Sequence, residues 1–139
     1  MSADIVIQID NGEDIGSGLR RFNPAGNIKG RIDIMPQKNI NARSVELYVE
    51  WHTEGRGDKD NGVTPPILLH NGQLNSGMPI YFPFDMLLPL EPWSYSGHYI
   101  NIIWNVVVKI NIPRSKDLIG TMPFILYPSA KTAQQESIF

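Results

Sequence analysis

The sequence predicts an all-β protein folded as an antiparallel two-sheet β-sandwich of the immunoglobulin-like class. Three observations predict it: segments in which apolar residues occupy every second position, turn-forming dipeptides between them, and the lack of a long segment with helical periodicity. A period of two places the apolar side chains on one face of a strand. Several one-sided strands without crossover helices are expected to pack as two antiparallel sheets.

Six segments carry the strand pattern. The first is the Ile- and Val-rich run 5–9. In the second, 28–34, apolar residues alternate and Gly30 stands between them, which indicates a bulge or the close approach of another backbone. The other four segments are 43–53, 78–84, 99–112 and 121–127.

The two longest segments have clearly separated faces. The predicted buried face of 43–53 consists of Val45, Leu47, Val49 and Trp51, and that of 99–112 consists of Ile102, Trp104, Val106, Val108, Ile110 and Ile112. On the outer face of 99–112, Ile103 and Val107 interrupt a row of Asn and Lys residues. Because edges and exposed apolar positions of an open sandwich are covered or used, we expect these two residues to bind a partner, a second copy of the chain in particular.

The punctuation of the sequence agrees with this fold. Asn11-Gly12, Asn61-Gly62 and Asn71-Gly72 are typical of tight turns, and 11 prolines interrupt the remaining segments. The sandwich is expected to cover 1–128. The tail 129–139 has no apolar stripe, so we expect it to be flexible.

Composition limits the classes of function. The 139 residues fit one domain, and 12 Lys and Arg against 14 Asp and Glu give a formal net charge of -2. This charge provides no long-range attraction to nucleic acid or to an anionic membrane, so neither is an expected partner. The absence of Cys removes disulfides and thiol nucleophiles, and the polar Asp4 stands where a signal peptide would be apolar. The chain is therefore expected to be soluble and cytoplasmic.

Four segments, in the same order, resemble arrestin-type domains. "FNPAGNIKGRIDI" at 22–34 resembles the early aromatic residue, Pro-Gly turn and glycine-containing strand of that family, and "VELYVEWHTEGRG" at 45–57 resembles its third strand. The segment 80–113, which contains "LPLEPWSYSG", resembles its proline-rich crossing, turn and long strand, and "GTMPFIL" at 120–126 resembles its closing strand. The resemblance covers roughly residues 5–127.

The resemblance implies a binding function. Arrestins, arrestin-like trafficking adaptors and the bacterial sporulation-control proteins of this type bind and scaffold other proteins, and they are not enzymes. This chain departs from the signalling arrestins because it contains one sandwich, and it lacks the Pro-Pro-x-Tyr motif that recruits ubiquitin ligases. The resemblance therefore implies a small, single-domain, microbial adaptor or scaffold that binds another protein, with no cofactor.

Catalytic and metal-binding signatures are absent from the sequence. His52, His70 and His98 are far apart in the chain, and we interpret them as three unrelated residues, because a catalytic or metal-bound His needs oriented partners. The segment "DKDNG" at 58–62 suggests calcium, but it lacks the ligand spacing of an EF-hand loop. An enzyme assembled from scattered His and Asp residues is a third hypothesis, beside the adaptor and the ligand-binding sandwich.

Other residues suggest contact with a partner. Trp93 and Tyr95 lie together in a turn, where they either anchor a protein or close one end of the sandwich; an aromatic pair could also stack on a sugar, so a small-ligand or carbohydrate-binding sandwich is the alternative function. Arg20 and Arg21 are adjacent, and two guanidinium groups could hold a phosphate. Ile138 and Phe139 end the tail and could enter a groove or extend a sheet edge.

Overall fold

The computed structural model describes residues 2–57 and 59–129, in which the chain forms strands and no helix. In chain order the strands are β1 (Ala3–Ile9), β2 (Glu13–Asp14), β3 (Arg20–Phe22), β4 (Asn27–Pro36), β5 (Ile40–Gly55), β6 (Asn61–Val63), β7 (Ile67–Leu74), β8 (Ile80–Leu87), β9 (Tyr95–Ser96), β10 (Ile100–Asn111) and β11 (Leu118–Leu126). The predicted tail from residue 130 onward, with Ile138 and Phe139, lies outside the described residues, as does Asp58.

The strands form two sheets. The smaller sheet has the order β1-β4-β8, and the larger one has the order β2-β3-β11-β10-β5-β6, with β7 also paired with β5 and β9 with β10. All pairs are antiparallel except β3 and β11, which run parallel. The predicted two-sheet sandwich is confirmed, and the parallel pair is an addition to it.

The core lies between the two sheets, where the apolar faces meet. The larger sheet contributes fully buried side chains from its central strands, chiefly Val45, Leu47, Val49, Trp104, Val106, Val108 and Ile110, and the smaller sheet contributes Ile28, Ile32 and Ile34. These are the residues that the alternating pattern assigns to the buried faces of β4, β5 and β10. Trp51 is only partly buried and packs at the margin of this core.

The three Asn-Gly dipeptides differ in how well they match the predicted tight turns. Gly12 has a φ of 96° and lies in a bend between β1 and β2, where a tight turn is predicted. Asn61-Gly62 and Asn71-Gly72 lie inside β6 and β7, so the prediction of tight turns there is wrong. Gly62 leaves room for the indole of Trp51 on the neighbouring strand, and Gly72, with a φ of 109°, lies beside an irregularity in the pairing of β7 with β5.

Gly30 has the role that its place in the pattern predicts. It pairs with Ile9 of β1 on one side and with Phe84 of β8 on the other. A Cβ atom at this position would collide with the carbonyl oxygen of Gln8, and it would lie 2.8 Å from Cζ of Phe84. Gly30 therefore allows two neighbouring chains to approach β4 closely.

Candidate binding groove

A groove opens where β10 and β11 separate. The two strands pair from Ile110 opposite Leu118 to Trp104 opposite Phe124, after which β11 continues beside β3. The segment 94–96 enters the space between them. The amide of Ser94 donates to the carbonyl oxygen of Leu126 at 2.8 Å, and the amide of Leu126 donates to Oγ of Ser94 at 2.9 Å.

The groove is largely apolar. Its volume is about 450 Å³, and its apolar lining consists of Leu19, Ile102, Ile103, Pro123, Phe124 and Ile125. Tyr95 and the polar side chains of Ser94, Ser96 and Asn101 complete the lining. An open apolar concavity with a few polar groups has the composition of a site for a side chain of another molecule.

The structure brings together two of the sequence-predicted partner residues. Ile103 and Tyr95 lie on different strands, and both line the groove; Tyr95 is 57% exposed. Trp93 lies two residues before Tyr95 and is 42% exposed, with its indole Nε1–H donating to the carbonyl oxygen of Leu90 at 3.1 Å. The Trp93 ring also contacts Tyr127 edge to face, with 5.3 Å between the ring centroids. Tyr95 therefore forms part of the groove, and Trp93 is an exposed aromatic residue two positions before it.

Val107 is buried, although the strand pattern predicts that it is exposed. It is only 3% exposed, because it lies between Tyr48 of β5 and Thr121 of β11, its partners in register on either side. Side chains directly opposite on one face of a sheet are close enough to cover each other. Of the two apolar residues expected to be exposed on β10, Val107 is buried and Ile103 is half-buried. Self-association stays a prediction.

Arg21 is occupied by contacts within the domain. Its side chain is 14% exposed, and it forms an ion pair with Glu13, with 3.2 Å between Nε and Oε1. Nη1 donates to the carbonyl oxygen of Tyr127 at 2.6 Å and to Oδ1 of Asn23 at 2.9 Å. A guanidinium that already holds a carboxylate is poorly suited to a phosphate. Arg20 follows Leu19, and it is opposite Asp14 in the pairing of β2 with β3.

Two carboxylates and a histidine form a row on the outer face of β5, next to the groove. His52 Nδ1 lies 3.1 Å from Oε1 of Glu50, and its Nε2 lies 2.9 Å from Oε2 of Glu54. The hydrogen bond to Glu54 is the largest effect on the pKa of His52 and raises it above its usual value of 6.5; partial burial lowers it, and Glu50 raises it further. We call Glu50, His52 and Glu54 the acidic row.

The raised pKa of His52 predicts a pH-dependent contribution to stability. A group whose pKa is higher in the folded state stabilises that state fully below its unfolded-state pKa, and this contribution is lost as the pH rises through the folded-state pKa. We therefore expect His52→Gln to lower the free energy of unfolding more at pH 6 than at pH 9. Urea titrations of both proteins at the two pH values measure this. An equal difference at both pH values would contradict it, and Glu46→Gln, on the same strand face, is the control.

The three histidines have different surroundings. His70 contacts the ring of Phe82, with 6.4 Å between the ring centroids, and His98 contacts that of Tyr99 at 4.6 Å. Over residues 2–57 and 59–129, the structure contains no group of three or more His, Asp or Glu side chains placed to hold a metal ion. In the same residues there is no helix of the length and hydrophobicity that spans a membrane.

Comparisons with known proteins identify the fold. No protein-family model matches the sequence, and no curated protein sequence matches it. Among solved structures, the sporulation control protein Spo0M from Bacillus subtilis is similar, with 14% sequence identity, a TM-score of 0.72 and 99% of this chain covered. The match covers 55% of Spo0M, so this chain spans about half the length of that protein. The fold of this chain is the arrestin-like β-sandwich that the resemblance implies.

Proposed function

We propose that this chain is a non-enzymatic adaptor or scaffold domain of the arrestin type, which binds an apolar side chain of a partner protein in the groove between β10 and β11. The observation that carries the proposal is the apolar lining of this open groove, to which Ile103 and Tyr95 both contribute. Apolar surface that remains open on a soluble domain is a common mark of an interaction site. This chain shares its fold with Spo0M, a sporulation control protein, and this similarity supports a regulatory role for the chain.

Energetics indicate that the partner contacts more than the groove. Full burial of one Leu or Ile side chain contributes about 1.5–3 kcal/mol, whereas a micromolar dissociation constant corresponds to about 8 kcal/mol. Exposed aromatic residues are frequent sources of the remaining binding energy in protein interfaces. Tyr95, which lines the groove, and Trp93, two residues before it, are such residues, and we propose that both contact the partner.

Substitution of Ile103 tests this function. In Ile103→Asp a charge replaces an apolar wall of the groove, so we expect a partner that binds wild-type protein to be lost, with an affinity at least about tenfold lower. The measurement is capture of proteins from the host by the tagged domain, with identification by mass spectrometry and quantification by titration.

The matched control is Ile119→Asp. Ile119 is an exposed residue of β11 that is opposite Lys109, away from the groove, so the same change of charge is made on the same sheet. Thermal unfolding of both variants verifies that they are folded. Capture of the same proteins in the same amounts by Ile103→Asp and by the wild type would refute the proposed groove function.

A further inference from the structure

The acidic row lies directly beside the groove, and this position bears on the chemistry of the partner. In the pairing of β5 with β10, His52 is opposite Ile103 and Glu54 is opposite Asn101, and both of these β10 residues line the groove. Glu50 is opposite Asn105, whose Nδ2 donates to Oε1 of Glu50 at 3.1 Å. Neighbouring strands are about 4.8 Å apart, so the carboxylates lie one strand away from the groove wall.

The charge of the acidic row is not balanced by a lysine or arginine. Within the described residues, the ion pairs of Glu50 and Glu54 are with His52 alone. By contrast, Lys109 is paired with Asp117 and Arg21 with Glu13. The row therefore carries two negative charges when His52 is neutral and one when it is protonated.

The groups around His52 come from three strands. On β5 it contacts Glu50 and Glu54, Asn61 of β6 is opposite it on one side, and Ile103 of β10 is opposite it on the other. Lys59 and Asp60, one basic and one acidic residue, lie around a second depression that His52 and Glu54 also line. The side of the groove that faces β5 is consequently acidic.

We propose that the groove recognises an extended protein segment in which a bulky aliphatic residue is followed or preceded, two positions away, by lysine or arginine. This inference rests on the proposed function and adds the chemistry of the partner. Two residues of extended chain span about 6.6 Å, so a segment that crosses β10 toward β5 places the second side chain over the acidic row. An acidic residue there would be repelled by Glu50 and Glu54.

The electrostatic contribution is modest and measurable. An ion pair at an exposed site contributes about 0.2–1 kcal/mol, up to about a fivefold change in affinity. With two carboxylates facing one cation, we expect Glu50→Gln/Glu54→Gln to weaken binding about five- to tenfold. The matched control is Glu46→Gln, which removes one charge from the same face of β5 opposite Lys109, away from the groove.

The test uses a random heptapeptide library displayed on phage. It is selected in parallel on the wild-type domain and on Ile103→Asp, and synthetic versions of the enriched peptides are then titrated by fluorescence anisotropy against the wild type, Glu50→Gln/Glu54→Gln and Glu46→Gln. We expect peptides that need Ile103 and carry Leu or Ile two positions from Lys or Arg. Their affinity should fall in the double variant and remain unchanged in Glu46→Gln. It should also be lower at pH 6 than at pH 8, because protonation of His52 at the lower pH reduces the negative charge of the acidic row.

The outcomes separate the two proposals. Peptides that need Ile103 but carry no basic residue, or bind the double variant as tightly as the wild type, would overturn the inference about charge and leave the groove function intact. Failure to enrich any peptide that distinguishes the wild type from Ile103→Asp would overturn both. Thermal unfolding of each variant confirms that lost binding is not lost folding.

Discussion

Replacement of Trp104 by alanine is expected to lower the free energy of unfolding by about 3–5 kcal/mol, which is the range for large-to-small changes of buried aromatic residues. Trp104 is 1% exposed, and its ring lies against Phe124, with 5.9 Å between the ring centroids. Its indole Nε1–H also donates to the carbonyl oxygen of Pro92 at 2.7 Å. The substitution therefore leaves a cavity and an acceptor without its donor. Urea titration monitored by circular dichroism measures the change.

Two further substitutions make this prediction specific. Trp104→Phe retains most of the apolar volume and removes the donor, so a smaller loss of about 2 kcal/mol is expected; this variant also gives a measurable stability if Trp104→Ala does not fold. Trp93→Ala removes the same side chain from an exposed position and should cost about 1 kcal/mol or less. If Trp93→Ala and Trp104→Ala lowered the free energy of unfolding equally, burial of Trp104 in the core would not be the source of the effect.

Gly30→Ala is the second substitution with a large expected effect, a loss of about 3 kcal/mol. The added methyl group would meet the carbonyl oxygen of Gln8, which belongs to the backbone of β1, and the end of the Phe84 ring. A side chain can rotate away from a new methyl group, whereas a backbone carbonyl in a strand pair can move only if the pair separates. This places the cost at the upper end of the range for overpacked cores.

Hydrogen exchange locates the effect of Gly30→Ala. The amides of Ile5 to Ile9 should lose protection first, because β1 is the strand that must move away from β4. Lys29→Ala, at the preceding position with an exposed side chain, should change the stability by no more than about 0.5 kcal/mol. If the amides of β1 keep their protection in Gly30→Ala, the close approach of Gln8 to β4 is not what requires glycine here.

The groove follows from how the sheet ends. β11 pairs first with β10 and then with β3, so β10 and β11 separate beyond Trp104 and Phe124. β9 fills only part of the space between them. A cavity of this kind depends on three strands and on the loop that contains Leu19. Its residues come from four separate parts of the chain, so no local sequence motif predicts it.

The strand pattern predicted much of the fold, and the sequence as a whole predicted two residues of the candidate site. Ile103 was identified because an apolar side chain on the polar face of a strand breaks the alternation, and Tyr95 because it lies in a turn beside Trp93. Leu19, Pro123 and Ile125 were missed because each has an ordinary place in its own segment. The alternation of Glu50 and His52 on one face was visible in the sequence, but its place beside Ile103 depends on the register of β5 against β10.

The sequence by itself determined which face of each long strand is buried and where β4 needs a glycine. These features depend on side-chain alternation and on local backbone geometry, which act over a few residues. Only the tertiary structure decided that Val107 is covered, that Arg21 is held by Glu13, and that the acidic row borders the groove. The burial of Val107 and the place of the acidic row depend on which residues of strands distant in the chain lie opposite one another, and the Arg21–Glu13 pair depends on the register of β2 against β3.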